Sequence, residues 1–439
     1  MLVKQTVEYI IDFLLGANFR RGAGVRVGYT ADFRLFENFD VVIQDAGFFD
    51  ENSYGKAETL PQLPLKIWEE VPILYGEPYC EMIGNTLVVH ADIVASTYFL
   101  ISRYEEMVRQ ELRDVHGRFP GKESLPYRAG FIDRPIVEEW GTQLRATMRE
   151  YGMDIADEPH QISKVYMTHD VDQLTHFRSI RGMLGGLLRG IKRPKEGQKA
   201  MRSFLGRVTD DPWYTFPFLF KMNNFLKSKI TAKRFETIVF VRTYGHRYPE
   251  DKPFPNLQHP DFKYLIRYCK RKAITIGLHA SYECGIEPAL IHAEKTKLEK
   301  LMHHAIRFNR NHFVNYREPH DMMLMIDAGI TDDFGIGYAD IAGFRLGTCR
   351  PVCYINPQTK KLYDLKLHAL TIMDRTLSDK RYMYMNAHDA YQYCEQLINS
   401  VERYHGEIVF LWHNNLLEKT PNSYHRELYV DVIKYLSAK

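Results

Sequence analysis

The protein is a chain of 439 residues, of which 45% are apolar, and its formal net charge is +3 at neutral pH. This length exceeds one ordinary compact core, and it predicts two domains or one large barrel with an added domain. The weak net charge does not favour nucleic acid as a partner, so a small or oligomeric substrate is expected. The six cysteines form neither a dense disulfide framework nor paired C-x-x-C motifs, which favours a reducing compartment.

The amino-terminal end and the absence of long apolar runs bear on the expected location. Residues 1–19 are apolar in places, but Glu8 and Asp12 interrupt the run and no small-residue cleavage site follows it. An amphipathic helix is therefore predicted there in place of a signal peptide. No stretch of the sequence approaches the ~20 uncharged apolar residues of a membrane span. We expect a cytoplasmic protein without a transmembrane span.

Residues 1–150 have the pattern of a smaller α+β domain. Its predicted strands are residues 25–29, 41–43 and 86–90, and its predicted helices are residues 91–109 and 135–151. Asp92 lies where it can cap the first of these helices. A polar stretch with several glycines and prolines, residues 113–134, reads as a long connection. The predicted boundary separates this domain from a second one at 160–439.

From residue 160 onward, short apolar runs alternate with helical stretches. The predicted strands are residues 165–168, 237–242, 274–278 and 408–412, and the predicted helices include residues 261–272 and 294–308. This alternation is typical of an α/β fold with a parallel sheet or barrel. Residues 176–207 carry nine Lys or Arg and a single Glu. They read as a solvated insertion, and the alternative is a weak contact with a membrane surface or an anionic carrier.

Polar side chains follow the predicted strands, at the end of the sheet where α/β proteins place their active sites. Asp170 and Asp172 come after the first strand of the second domain. Two ionised carboxylates at this spacing repel each other in a confined site, and a divalent cation is the simplest group that holds them there. One of them would bind the metal and the other would stay free as a base. By itself this pair is a weak signal, because acidic residues are common in loops.

Histidines follow two further predicted strands. His279 comes directly after residues 274–278, and Glu283 lies four residues later, so one loop or helical turn could present both side chains to one ion. Such ligands suit zinc or another first-row divalent metal. His413 follows residues 408–412, and an imidazole there could donate a proton to a leaving group near neutral pH. A structural role is the alternative for each histidine, but three strand ends with Asp or His favour one site.

With these residues in view, residues 165–415 resemble the polysaccharide deacetylase family, the chitooligosaccharide deacetylase homology domain of carbohydrate esterase family four. The closer resemblance is to a bacterial subgroup with an added amino-terminal domain of unknown function. The ordered motifs include Thr168-His169-Asp170-Val171-Asp172, Gly277-Leu278-His279-Ala280, Asn309-Arg310-Asn311-His312, Gly343-Phe344-Arg345, Met373-Asp374 and Trp412-His413-Asn414. The resemblance implies a distorted (β/α) barrel of polysaccharide deacetylase type, preceded by the smaller α+β domain.

The resemblance also implies a divalent metal cofactor, with zinc favoured by the types of ligand. Asp172 and His279 would be metal ligands. Glu283 stands where the family has its second metal histidine. Either Glu283 substitutes for that histidine, at some loss of Lewis acidity, or His169 or His312 completes the site.

Catalytic roles follow from the same resemblance. Asp170 would be the general base, held in place by Arg310 or else by Arg317, and His413 would be the general acid. The remaining candidates for a ligand or substrate contact are His169, His312, Arg345 and Asp374. For Arg345, a structural salt bridge is the alternative to a contact with a sugar acid or phosphate.

The expected function is hydrolysis of a C–N amide bond, as the N-deacetylase of an N-acetylated carbohydrate in cell-envelope polysaccharide metabolism. Two alternatives remain open at this point. One is a hydrolase of a different C–N bond on the same fold. The other is a non-catalytic carbohydrate-binding or scaffold protein that kept the fold and lost the chemistry.

Overall fold

The computed structural model of the protein describes residues 3–16, 24–317, 319–419 and 423–439. The strands of the amino-terminal part are β1 (Val27–Tyr29), β2 (Val41–Ile43), β3 (Lys66–Trp68), β4 (Val71–Ile73), β5 (Gly76–Ile83) and β6 (Thr86–Ala91). Its helices are α1 (Lys4–Leu15), α2 (Ile93–Ile101), α3 (Tyr104–Val108), α4 (Leu125–Arg128) and α5 (Ile136–Glu150). Four strands form one sheet in the order β1-β2-β6-β5, and β3 pairs with β4 in a separate hairpin.

The predicted helix at residues 91–109 is divided in two. Asp92 caps α2, because its side chain accepts a hydrogen bond from the backbone N–H of Ala95 at 2.8 Å. The chain then turns at Arg103, which has a left-handed φ of 57°, before α3 begins. This turn lets α3 present the buried carboxylate of Glu106 to Arg345 in the carboxyl-terminal part, at 2.7 and 2.9 Å. The tertiary ion pair therefore accounts for the break in the helix.

The carboxyl-terminal part is a mixed α/β structure built around one nine-stranded sheet. Its strands are β7 (Lys164–Val171), β8 (Phe235–Val241), β9 (Thr275–Ala280), β10 (Phe308–Asn311), β11 (Asp332–Asp333), β12 (Val352–Ile355), β13 (Leu362–Leu367), β14 (Leu370–Met373) and β15 (Glu407–Leu411). Its helices are α6 (Ile180–Gly190), α7 (Pro194–Leu205), α8 (Phe216–Lys229), α9 (Pro260–Arg271), α10 (Tyr282–Ile286), α11 (Ile291–Met302), α12 (His320–Asp327), α13 (Asp374–Ser378), α14 (Ala387–Arg403) and α15 (His425–Leu436).

The strand order is β12-β13-β11-β10-β9-β8-β7-β15-β14, and every neighbouring pair is parallel except β12 and β13. The buried strands are rich in Val, Ile, Leu and Phe, as expected where helices cover a parallel sheet. Strand β7 is longer than the predicted strand at 165–168 and continues to Val171. His169 and Asp170 therefore lie within the strand, and their side chains point to opposite faces of the sheet.

The nine-stranded sheet is curled, and His368 joins its two arms. Its ring nitrogens bond Glu407 of β15 at 2.7 Å and Asp332 of β11 at 3.0 Å, although β7, β8, β9 and β10 separate these two strands in the sheet. Among the described residues β12 and β14 are the edges of the sheet. The observed architecture is thus a curled, open sheet, and closure into the full (β/α) barrel stays a prediction.

The amino-terminal and carboxyl-terminal parts pack against each other. One hydrophobic cluster includes Leu14 and Trp140 from the first part and Val165 and Trp412 from the second. The division predicted between residues 150 and 160 falls between the two sheets. Whether the parts are separate folding units stays a prediction. All six cysteines are free thiols, and no helix in the described ranges has both the length and the apolarity to cross a membrane.

The ion pairs of His368 predict a pH-dependent stability. Burial by itself lowers the pKa of His368, but the charge of Glu407 and hydrogen bonds to Asp332 and Glu407 raise the pKa to about 9. Because the unfolded pKa is about 6.5, this stabilisation is complete below that pH and is lost as the pH rises towards 9. The shift corresponds to about 3 kcal/mol.

Urea unfolding at a pH below about 6.5 and at a pH near 9 tests this expectation. The wild type should lose more unfolding free energy between the two pH values than His368→Gln does. The exposed His388 offers a control, because His388→Gln should keep the wild-type pH dependence. Equal pH dependence of the wild type and His368→Gln would contradict the prediction.

Candidate active site

Three side chains at the carboxyl ends of β7, β9 and β10 converge on one point. They are Asp172, His279 and His312, and one potential ligand atom from each lies within 4.8 Å of the others. The Nε2 atom of His279 is 3.2 Å from Asp172 Oδ1, and that of His312 is 3.4 Å from the same oxygen. The carboxyl ends of parallel strands meet at one edge of the sheet, which explains why residues so far apart in sequence come together.

The second nitrogen of each imidazole is engaged elsewhere. His279 Nδ1 donates to the backbone oxygen of Arg310 at 2.8 Å, and His312 Nδ1 donates to Asp251 Oδ1 at 2.9 Å. These bonds aim both Nε2 atoms at Asp172. An acceptor behind each imidazole is the usual arrangement for metal-binding histidines, since it sets the tautomer and the ring orientation.

Asp251 and Arg242 form the support behind this group. Asp251 is fully buried and accepts bonds from the backbone N–H groups of Tyr282 and Glu283 at 2.9 and 3.0 Å. Arg242 donates to Asp251 Oδ1 at 3.2 Å and to the backbone oxygen of Asp172 at 2.7 Å. Burial by itself raises the pKa of Asp251, but His312 and the two backbone N–H groups lower it overall. Asp251 is therefore an ionised partner that holds His312.

The electrostatics of the group suit a divalent cation. Burial by itself raises the pKa of Asp172, but the charge of His312 and hydrogen bonds from both histidines hold it well below its usual range. Two imidazole nitrogens and one carboxylate oxygen are a donor set typical of zinc, and three protein ligands leave a coordination position for water or substrate. The residues present thus fit the predicted metal, whose identity stays a prediction.

Asp170 lies beside this group and is held by Arg310. Arg310 is fully buried on β10. It donates from Nη1 to Asp170 Oδ1 at 2.9 Å and from Nε to the backbone oxygen of Phe334 at 3.0 Å. The other carboxylate oxygen of Asp170 lies 3.6 Å from His279 Nε2. This arrangement leaves one oxygen of a buried carboxylate directed at the metal group, where a base would be useful.

His413 lies on another side of the same group, and Asp374 orients it. His413 Nδ1 donates to Asp374 Oδ1 at 2.7 Å, and the backbone N–H of His413 donates to Asp374 Oδ2 at 2.6 Å. His413 Nε2 is 3.5 Å from Asp172 Oδ2. Burial by itself lowers the pKa of His413, but the charge of Asp374 and their hydrogen bond raise it overall. The pair favours a protonated imidazole that can donate a proton.

One cavity of about 260 Å³ is lined by the candidate ligands and reacting groups, namely Asp170, Asp172, His279, His312 and His413. Its wall also includes Phe313 and Tyr382, and both contact the amino-terminal part through Arg118, at 3.1 Å to the Phe313 oxygen and 3.3 Å to the Tyr382 hydroxyl. Phe313 and Val314 have left-handed φ values of 62° and 48° directly after His312. Such strain persists only where surrounding contacts hold it, and one of these contacts comes from Arg118.

Several predicted site residues lie outside this group. Glu283 accepts a bond from the backbone N–H of His246 at 3.0 Å, and its other oxygen lies 3.5 Å from Arg247. His312, the alternative third ligand, lies beside Asp172 and His279, where Glu283 was the first candidate. Arg310, and not Arg317, reaches Asp170.

His169 and Arg345 have structural partners. His169 bonds the backbone oxygen of Trp412 at 2.9 Å and the amide of Asn223 at 3.0 Å, on the face of β7 opposite Asp170. Burial lowers the pKa of His169 to about 4, so the ring is neutral. Arg345 makes two hydrogen bonds to Glu106, which is the salt bridge considered as the alternative.

The sequence analysis did not identify the roles of Asp251 and Arg242. Arg242 did leave a signal, because a charged residue ends the apolar strand predicted at 237–242. Asp251 ends a short 3-10 helix, Pro249–Asp251, and belongs to no sequence motif. Its role depends on a contact with His312, which is 61 residues away in the sequence.

Comparisons with known proteins give distant likenesses. A model for a family of unknown function (DUF7033) matches residues 3–152. A protein from Mycobacterium smegmatis, provisionally assigned as a polysaccharide deacetylase, is 13% identical with a TM-score of 0.40, and the match covers 65% of this chain and 87% of that chain. Another from Bordetella bronchiseptica, provisionally assigned as a polysaccharide deacetylase involved in O-antigen biosynthesis, is 12% identical with a TM-score of 0.27, and the match covers 63% and 84%.

No curated protein matches the chain. Likenesses at these TM-scores carry no argument about activity, so function is inferred from the geometry of the site itself.

The ligand group predicts how metal binding responds to substitution. His312→Gln should lower the affinity for Zn²⁺ by about 100-fold or more, because it removes one of three ligands. Glu283→Gln is the matched control, since Glu283 is also buried beside the site but bonds His246. Calorimetric titration of metal-free protein with Zn²⁺ measures both. Loss of binding in Glu283→Gln with full binding in His312→Gln would assign the third ligand to Glu283.

Proposed function

We propose that the protein is a divalent-metal-dependent hydrolase that removes the acetyl group from an N-acetylated sugar. The observation that carries the proposal is the placement of two held catalytic groups around one ligand group. Asp170, paired with Arg310, and His413, paired with Asp374, each lie within 3.6 Å of a member of the group formed by Asp172, His279 and His312. A base, an acid and a metal position facing one cavity are what amide hydrolysis requires.

The residues divide the work as follows. Asp172, His279 and His312 would hold a divalent ion, which would supply Lewis acidity for a carbonyl oxygen and for the attacking water. Asp170 accepts the proton of the attacking water at Oδ2, while Arg310 keeps Oδ1 in place. His413 Nε2 gives a proton to the departing nitrogen when the C–N bond breaks, so acetate and a free amine are the products. Asp374 holds the opposite side of the imidazole.

Neutral variants of the base and of its partner test this division. Asp170→Asn should bind Zn²⁺ with nearly wild-type affinity and lose at least about 100-fold in kcat, because general bases contribute roughly 10²–10⁴ in rate. Asp172→Asn should lose the metal as well as the activity. Metal titration and single-turnover kinetics on the same samples separate the two effects. A full rate in metal-loaded Asp170→Asn would contradict the role of Asp170.

The reaction class is tested by product analysis. The metal-loaded protein is incubated with polymeric and nucleotide-linked N-acetylhexosamines, and acetate and free amine are measured together. Equal amounts of both products, abolished by a chelator and restored by Zn²⁺, are expected. Release of acetamide or ammonia without acetate would indicate hydrolysis of another C–N bond. Sugar binding without turnover in metal-loaded protein would indicate a binding protein. The cytoplasmic location stays a prediction.

A further inference from the structure

The segment after β7 contains a helical hairpin, formed by α6 and α7, that stands apart from the catalytic group. The two helices pack through small residues. A Cβ atom on Gly186 would lie 2.5 Å from Ala200 Cβ, and one on Gly190 would lie 2.7 Å from the Cα atom of Gly197. The close approach explains why glycines occupy a helix that they would otherwise destabilise. One face of α6 is thus used for α7.

The opposite face of α6 carries an exposed apolar stripe. Ile180, Leu184 and Leu188 follow each other at four-residue spacing, and Ile191 lies just beyond the helix. Their exposed fractions are between 51% and 80%. Leu184 and Leu188 precede Gly186 and Gly190 by two residues each, which turns them by about 200° away from the contact with α7. Aliphatic side chains grouped on one exposed face mark a contact surface more often than single exposed residues do.

Unpaired cations accompany this stripe. In the described part of the chain, four exposed basic side chains of the hairpin have no salt bridge: Arg181, Lys192, Arg193 and Lys195. The hairpin's single acidic residue, Glu196, already pairs with Arg189. The surface therefore combines exposed aliphatic groups with uncompensated positive charge. A neutral protein surface could cover the apolar side chains, but it would leave the positive charges without a partner.

We infer that the hairpin α6–α7 docks the protein on an anionic lipid bilayer. Aliphatic side chains enter the boundary between headgroups and acyl chains, and the surrounding cations contact lipid phosphates. The inference is independent of the proposed hydrolysis. The position of the hairpin supports the inference, because Asp172 and Ser179, the residue that caps α6, line the same groove of about 250 Å³. A docked hairpin would hold the catalytic cavity next to the lipid surface.

Vesicle sedimentation with the full chain tests the inference. The protein should bind vesicles of phosphatidylcholine mixed with phosphatidylglycerol much more strongly than vesicles of phosphatidylcholine alone. Added salt should weaken this binding. Equal binding to both kinds of vesicle, or none to the anionic ones, would overturn the inference. Because the assay needs neither metal nor substrate, failure of the proposed hydrolysis would leave its result unchanged.

The charge contribution is measured with two fourfold variants of equal net charge. The test variant is Arg181→Gln, Lys192→Gln, Arg193→Gln and Lys195→Gln. The matched control changes four exposed cations outside the hairpin and is Arg267→Gln, Lys272→Gln, Lys300→Gln and Lys361→Gln. The test variant should lose about 100-fold or more in vesicle affinity, because each basic residue near an anionic surface contributes separately. Equal loss in both variants would reduce the effect to net charge and overturn the assignment to the hairpin.

The apolar stripe is tested in the same way. Leu184→Gln with Leu188→Gln should weaken vesicle binding, whereas Phe33→Gln with Ile67→Gln, exposed apolar residues of the amino-terminal part, should not. Leu188→Trp adds a fluorophore on the stripe to the four native tryptophans, and brominated lipids should quench the emission that this variant gains over the wild type. Absent quenching would overturn the inference. Self-association without lipid is measured by ultracentrifugation. If the double leucine variant loses self-association but still binds vesicles, the stripe contacts a second copy of the chain, and the inference is overturned.

Discussion

The buried ion pair between Arg310 and Asp170 is the contact on which both the sheet and the site depend. Both side chains are nearly inaccessible, at 0% and 3% exposure. A charge buried without a partner costs several kcal/mol, so each residue requires the other. Their strands, β10 and β7, are separated by β8 and β9, so the side chains meet only because the sheet curls. The same contact occupies one oxygen of Asp170 and leaves the other facing His279.

Carboxylates hold three of the imidazoles in the carboxyl-terminal part. Asp251 orients His312, Asp374 orients His413, and Glu407 with Asp332 holds His368. The first two pairs lie at the carboxyl ends of the strands and aim Nε2 atoms into the cavity. The third group, His368 with Glu407 and Asp332, includes the first residues of β15 and β11 and joins the two arms of the sheet. One kind of interaction therefore serves the stability of the sheet at one end and the geometry of the candidate site at the other.

The amino-terminal part supports the site from outside. Glu106 pairs with Arg345, Glu138 pairs with Arg350, and Arg118 reaches Phe313 and Tyr382 in the cavity wall. Phe313, with its left-handed backbone, directly follows His312, a candidate metal ligand. A shift of Arg118 would therefore change the position of His312. These contacts give the amino-terminal part a structural connection to the chemistry, although it contributes none of the groups proposed to react.

The sequence by itself determined that apolar strands lead into Asp170, His279 and His413, because hydrophobic runs and the polar residues that follow them are local properties of a chain. The parallel α/β arrangement followed from the alternation of those runs with helices. Only the tertiary structure placed His312, and not Glu283, beside Asp172 and His279, paired Arg345 with Glu106 and brought Asp251 behind His312. Each of these outcomes depends on the curl of the sheet and on loops that meet across it, and distances between residues far apart in sequence leave no local pattern.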